Sequence, residues 1–215
     1  MVSAPTKIAC GLGATGVVGT GCYFAATNLA TSRKEKISDR LSKEKFTLLS
    51  FENGNEAEWK LIVTEYEKQG TTYKLSGVNL ASDGGDKEKK NIAALKLACK
   101  SLVDKEDVTE DSYVKARRWC VVPKKVKDVL SGLNRKILKH ETSETQDDKI
   151  WTVKIGIYNH PTDSLPSVTW SQTDNSNRIS ELKKGCKELL AKDTQTHSEA
   201  FLSEYEKAYK FCTSD

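Results

Sequence analysis

The chain has 215 residues, 37% of them apolar and 30% charged, with a net charge of +4. That length holds one domain of ordinary size or two small ones, and the composition is globular, which excludes a disordered chain. The positive charge comes from 28 lysines against 6 arginines, mixed with acids along the chain, so it reads as a solvated surface and gives phosphate binding little support.

From Ile8 to Ser32 there is no charged residue, only Gly, Ala, Thr, Val and a few larger apolar side chains between Lys7 and Arg33-Lys34. About 20 residues of helix cross a bilayer core, and small residues suit close packing of membrane helices. Residues 1–34 are therefore read as an N-terminal membrane anchor or signal segment. Retention, cleavage near Ala25-Ala26 or Leu29-Ala30, and lipid attachment at Cys22 all stay open. Cations flank the segment on both sides and set no orientation. Gly11, Gly13 and Gly16 spell GxGxxG, but too few residues precede them to form the strand that a dinucleotide-binding motif requires.

The rest of the chain repeats itself. Tyr113 to Cys120, YVKARRWC, returns as Tyr205 to Cys212, YEKAYKFC, keeping Tyr, Lys, Ala, an aromatic and Cys. Ile92, Leu95, Cys99 and Leu102 lie on one helical face, and Ile179, Leu182, Cys186 and Leu189 repeat the same steps. Trp59 and Tyr66 are echoed by Trp151 and Tyr158 at the same spacing. Ile37, Asp39, Leu41, Ser42, Leu48 and Leu49 align without a gap on Val126, Asp128, Leu130, Ser131, Ile137 and Leu138. Four blocks in one order predict a mainly α fold: a tandem duplication of a roughly 90-residue helical unit, residues 35–123 and 124–215, after the membrane segment. The repeat core is Trp59, Tyr66, Tyr113 and Trp119 in the first unit and Trp151, Tyr158, Tyr205 and Phe211 in the second.

In chain order, Ser38-Asp39 is placed to cap a short helix running toward Lys45, followed by an apolar run at 46–51 of uncertain type. A helix over 56–68 puts Trp59, Ile62, Val63 and Tyr66 on one face and ends at Gly70. After a polar loop, a helix over 87–103 carries the first cysteine face, and Thr109 caps the next helix, with acids in its first turn. Pro123 stops the unit. In the second unit, residues 151–158 fit either a strand or a helix, and the repeat selects helix. A long loop over 161–177 contains Trp170, either packed on the core or exposed as a contact residue. Thr196 and Glu199 read as a capping box for the last helix. The two units are expected to pack on each other through their Trp/Tyr and Ile/Leu/Cys faces.

The chain contains no CxxC, HExxH, GxSxG or Walker-type loop, and His140, His160 and His197 sit in polar sequence without metal-ligand spacing. The sequence thus predicts no enzyme, no cofactor and no metal. Arg117-Arg118 and Lys124-Lys125-Val126-Lys127 read as the exposed face and C-terminal end of a helix. A basic helical protein of the cytosol that binds nucleic acid is the alternative they leave. Cys99, Cys120, Cys186 and Cys212 admit three full pairings, and the repeat selects Cys99 with Cys120 and Cys186 with Cys212. Four reduced thiols packed in the core remain the competing reading.

The uncharged N-terminus followed by ISDRL at 37–41, a Trp-containing helix, LKLACKSL at 95–102 and ARRWCVVP at 116–123 resembles the paralogous proteins of haemotropic mycoplasmas, wall-less bacteria living on red blood cells. The resemblance covers the whole chain and implies membrane attachment and membership of a large multigene set, but no active site. The resulting expectation is a membrane-anchored surface protein, its soluble part facing the exterior, serving as a structural or antigenic module with a host or extracellular protein as partner and no nucleic acid.

Overall fold

Ile37 and Leu41 stand one helical turn apart, both fully buried, and fix the inner face of α1, Ile37–Lys43. The expected cap does not form: Ser38 and Asp39 lie inside the first turn, and Lys36 is the capping residue, with no side-chain bond. The Ile37 amide is met instead by the backbone carbonyl of Lys105 at 3.3 Å. Lys45 turns the chain with a positive φ of 63°. The apolar run 46–51 is extended, where Leu48 bridges Val121 antiparallel and the Leu49 amide donates to the Cys120 carbonyl at 3.0 Å.

The computed structural model of the protein describes residues 35–68, 70–106, 108–133, 135–170 and 174–214. The uncharged N-terminal stretch lies outside them, with its anchor, cleavage, lipidation and glycine-motif readings. Among the described residues no helix is long and apolar enough to cross a membrane.

α2, Glu56–Glu67, buries Trp59, Ile62, Val63 and Tyr66. α3, Lys87–Val103, buries Ile92, Leu95, Cys99, Leu102 and Val103, together with Asn91. Thr109 caps α4, Glu110–Trp119, accepting from the Ser112 amide at 3.2 Å, and Glu110 and Asp111 occupy the first turn, where the helix dipole favours acids. α1 packs on α3 and α4, α2 on α3, and α3 on α4.

The second half repeats this order. α5, Val126–Gly132, leads into β1, Lys136–Ile137, which pairs antiparallel with β2, Thr213–Ser214. This is the counterpart of the Leu48 to Val121 bridge, and the Leu138 amide likewise donates to Cys212 at 2.9 Å. α6, Asp148–Ile157, is a helix because only one side of the segment finds core. Trp151 is fully buried, whereas Val153, which a strand would bury beside it, is 64% exposed. Tyr158 is buried just past the end of α6. α7, Asn175–Ala191, is capped by Asp174, and α8, Phe201–Cys212, ends the helical part. The Thr196 and Glu199 capping box is absent: Ala200 precedes α8, while Glu199 and Thr196 are bonded elsewhere. α6 packs on α7, α7 on α8, and α5 on both α7 and α8.

The described residues between 35 and 214 belong to one compact unit. The most closely packed helix pairs lie within one half or the other, while the buried apolar residues of both halves belong to one continuous core. A set of polar contacts joins them as well.

Candidate functional site

The predicted site residues fall into two groups, the cystines with their aromatic surroundings and the polar junction between the halves. Cys99 is bonded to Cys120 and Cys186 to Cys212, with Cα separations of 5.4 and 5.5 Å. Each bridge ties the long helix of its half to the end of the last helix, and all four cysteines are fully buried. No free thiol nucleophile is therefore found among the described residues.

Around each bridge the aromatic contacts recur. The Trp59 indole donates to the Ser50 carbonyl at 3.0 Å, and that of Trp151 to Lys139 at 3.1 Å. The Tyr66 hydroxyl accepts from the Leu75 amide at 2.8 Å and that of Tyr158 from Leu165 at 2.9 Å, each pinning the loop that follows its helix. Tyr66 meets Trp119 edge to face at 4.8 Å, and Tyr158 meets Phe211 the same way at 5.1 Å. Burial of Tyr66 and Tyr158 raises both phenol pKa values. Trp170 is half-buried and packs on Tyr158 at 4.7 Å, so it anchors its loop. Leu80 holds the equivalent place in the first half, because Leu75-x-x-Val78-x-Leu80 matches Leu165-x-x-Val168-x-Trp170. That repeat was present in the sequence but masked by the polar residues around it.

The junction is built on α4 and on the segment leading into α8. Arg117 and Arg118 are buried, at 8% and 6% exposure, and neither belongs to an exposed basic face. Arg118 donates to the His197 carbonyl at 3.1 Å, to the Thr72 carbonyl and hydroxyl at 3.2 and 2.9 Å, and to Glu199 at 2.6 Å. Its guanidinium lies 4.5 Å above the Trp119 ring. Glu199, held by Thr72 and Arg118, has its carboxyl pKa lowered. His197 is also buried, against the polar setting its sequence suggests, and its Nδ1 has no hydrogen-bond partner among the described residues. Burial lowers its pKa, and Arg118 and Lys68 act in the same direction against Glu65.

Arg117 sits 5.6 Å from the Tyr113 ring, 5.7 Å from Tyr205 and 6.0 Å from Phe201, bringing one repeat-core tyrosine against the other. Arg40 also stacks on Tyr113, 3.7 Å from its ring. The Tyr113 hydroxyl donates to Glu44, and burial followed by that carboxylate pushes its pKa up. Tyr205, only half-buried by surface, is pushed up to about 12, again mainly by burial. Arg135 and Arg178 lie over Tyr209 and Trp170 at 4.0 and 5.1 Å. All five described arginines thus stack on aromatic rings, as a flat, weakly hydrated guanidinium is suited to do.

Arg118, with Thr72, His197 and Glu199, and Arg117, with Tyr113 and Tyr205, link the two halves. A groove of about 440 Å³ is open and polar, lined by His140, Glu141, Asn177, Ser180, Glu181 and Lys184 among others. Lys187, on its rim, pairs with Glu141 at 2.7 Å. Among the described residues no three or more His, Cys, Asp or Glu side chains group as metal ligands would. Comparison of the chain with protein-family models, curated proteins and solved structures gives no match.

Proposed function

We propose that the chain is a membrane-anchored surface protein whose soluble part, residues 35–215, acts as a structural or host-interaction module and not as an enzyme. The observation that carries this reading is the pair of buried cystines, one in each half. Such bridges form and persist in oxidising surroundings and are rare in a reducing cytosol. They occur in a chain whose residues 8–32 carry no charge over a length sufficient to span a bilayer core.

The recurring Trp, Tyr, cystine and backbone contacts of the two halves support an origin by tandem duplication of a roughly 90-residue unit. The burial of Arg117 and Arg118 removes the strongest feature of a nucleic-acid surface. The resemblance to the paralogous proteins of haemotropic mycoplasmas agrees with an exterior position and an extracellular protein partner. The test is proteolysis of intact producing cells. Degradation of residues 35–215 by an external protease, with a cytosolic marker preserved, is expected; protection of those residues overturns the proposal.

A further inference from the structure

We infer that the outer face of α3 docks on the anionic surface of the membrane that carries the protein, an inference that rests on the anchor proposed above. α3 turns Ile92, Leu95, Cys99 and Leu102 into its half. On the opposite side, at 3.6 residues per turn, Lys89, Lys90, Ala93, Leu97 and Lys100 share one sector about 100° wide, and all five are exposed. Leu97 is 73% exposed, the most exposed large apolar side chain among the described residues. Among the described residues Lys89, Lys90 and Lys100 pair with no carboxylate, whereas Lys87 and Lys96 at the edges of the sector pair with Glu67 and Glu56. Asp86 and Asp104 mark the two ends of the sector, and between them it carries three positive charges and no negative one.

This chemistry is peculiar to the first half. The equivalent positions of α7 are Ser176, Asn177, Ser180, Lys184 and Lys187, of which Lys187 is neutralised by Glu141. The outer sector of α3 thus carries a positive and apolar character that the outer sector of α7 lacks. The connectivity points to the membrane. The Ile37 amide is bonded to the Lys105 carbonyl, which places the start of α1 beside the end of α3. Only five residue steps separate Ser32, the last residue of the uncharged stretch, from Ile37. Fully extended, they reach about 17 Å. An anchor ending at Ser32 therefore keeps the last turns of α3 close to the headgroups. Three lysines and one leucine form a weak membrane contact alone, and a short tether converts it into an intramolecular one with high effective concentration.

The test uses the full chain in vesicles of phosphatidylcholine alone and of phosphatidylcholine mixed with phosphatidylglycerol. Lysines are acetylated with a neutral reagent and read by mass spectrometry. Docking predicts that Lys89, Lys90 and Lys100 are labelled several-fold less in the anionic vesicles, that Lys127 and Lys184 are unaffected, and that Leu97→Asp restores labelling. Equal labelling in the two vesicles, with the protein retained after an alkaline carbonate wash, overturns the docking and leaves the anchor standing. Release by the carbonate wash overturns the anchor and the docking together.

Discussion

Arg118 is the side chain on which the junction depends most, and Arg118→Met measures it, since methionine keeps much of the apolar stem and removes every hydrogen bond. The guanidinium has four bonds, to the His197 carbonyl, the Thr72 carbonyl and hydroxyl, and Glu199. Not all of them count equally. Glu199 is 53% exposed and Thr72 is exposed, so both rehydrate, and the ion pair itself is worth at most about 1 kcal/mol. The bond to His197 is buried, and a carbonyl left without a donor costs about 1–3 kcal/mol. The expected loss is about 2–3 kcal/mol. With a urea m-value of about 2 kcal/mol per M, that lowers the denaturation midpoint by about 1 M at unchanged m, with the cystines intact. Combining Arg118→Met with Glu199→Gln in a cycle should give a coupling below about 1 kcal/mol. A change within about 0.5 kcal/mol of wild type for Arg118→Met would refute the assignment of the junction to this residue.

Gly185→Ala should destabilise by about 1–3 kcal/mol in thermal unfolding despite the better helix propensity of alanine, because a Cβ there would meet the Val168 Cγ2 at 2.7 Å and the Pro166 carbonyl oxygen at 2.9 Å. A stabilised Gly185→Ala would mean that the 165–168 loop yields freely. Paired Cys→Ser replacement of either bridge should lower stability by about 3.3 kcal/mol for the 21-residue separation and about 3.5 kcal/mol for the 26-residue one, in calorimetry under non-reducing conditions; variants that unfold like wild type contradict a structural role. His197 has a folded pKa below its ordinary 6.5, so the unfolded chain takes up a proton that the folded chain resists. Stability is full above about pH 6.5 and is lost as pH falls toward the folded pKa, with a slope of at most about 1.4 kcal/mol per pH unit. His197→Gln should flatten that part of the pH profile in urea titrations, and an unchanged slope would show that His197 is not its source.

The helices and the cystine pairs were legible in the sequence because both follow from local periodicity repeated in register. Trp59, Cys99 and Tyr113 have partners at matching steps in Trp151, Cys186 and Tyr205, and one amphipathic face can be checked against the other. What escaped depends on contacts between distant segments. Arg117 and Arg118 occur in a polar-looking run, and nothing local announces that Thr72, His197 and Glu199 close over Arg118 from 46, 79 and 81 residues away. Thr109 caps α4 as expected, but two other expected caps failed for the same reason. Ser38-Asp39 lost to a backbone carbonyl at Lys105, and Glu199 lost its place in a capping box to Arg118 and Thr72. The loop counterparts Leu80 and Trp170 were missed because their spacing is neither helical nor alternating over enough residues to register as an element.

The measurement that bears most directly on an exterior, cystine-stapled surface protein is peptide mapping without reduction, on protein alkylated in the intact producing cell before lysis. The account predicts linked peptides joining Cys99 to Cys120 and Cys186 to Cys212, with no alkylated form of any of the four. Recovery of these cysteines as alkylated thiols, or joined across the two halves, would contradict it.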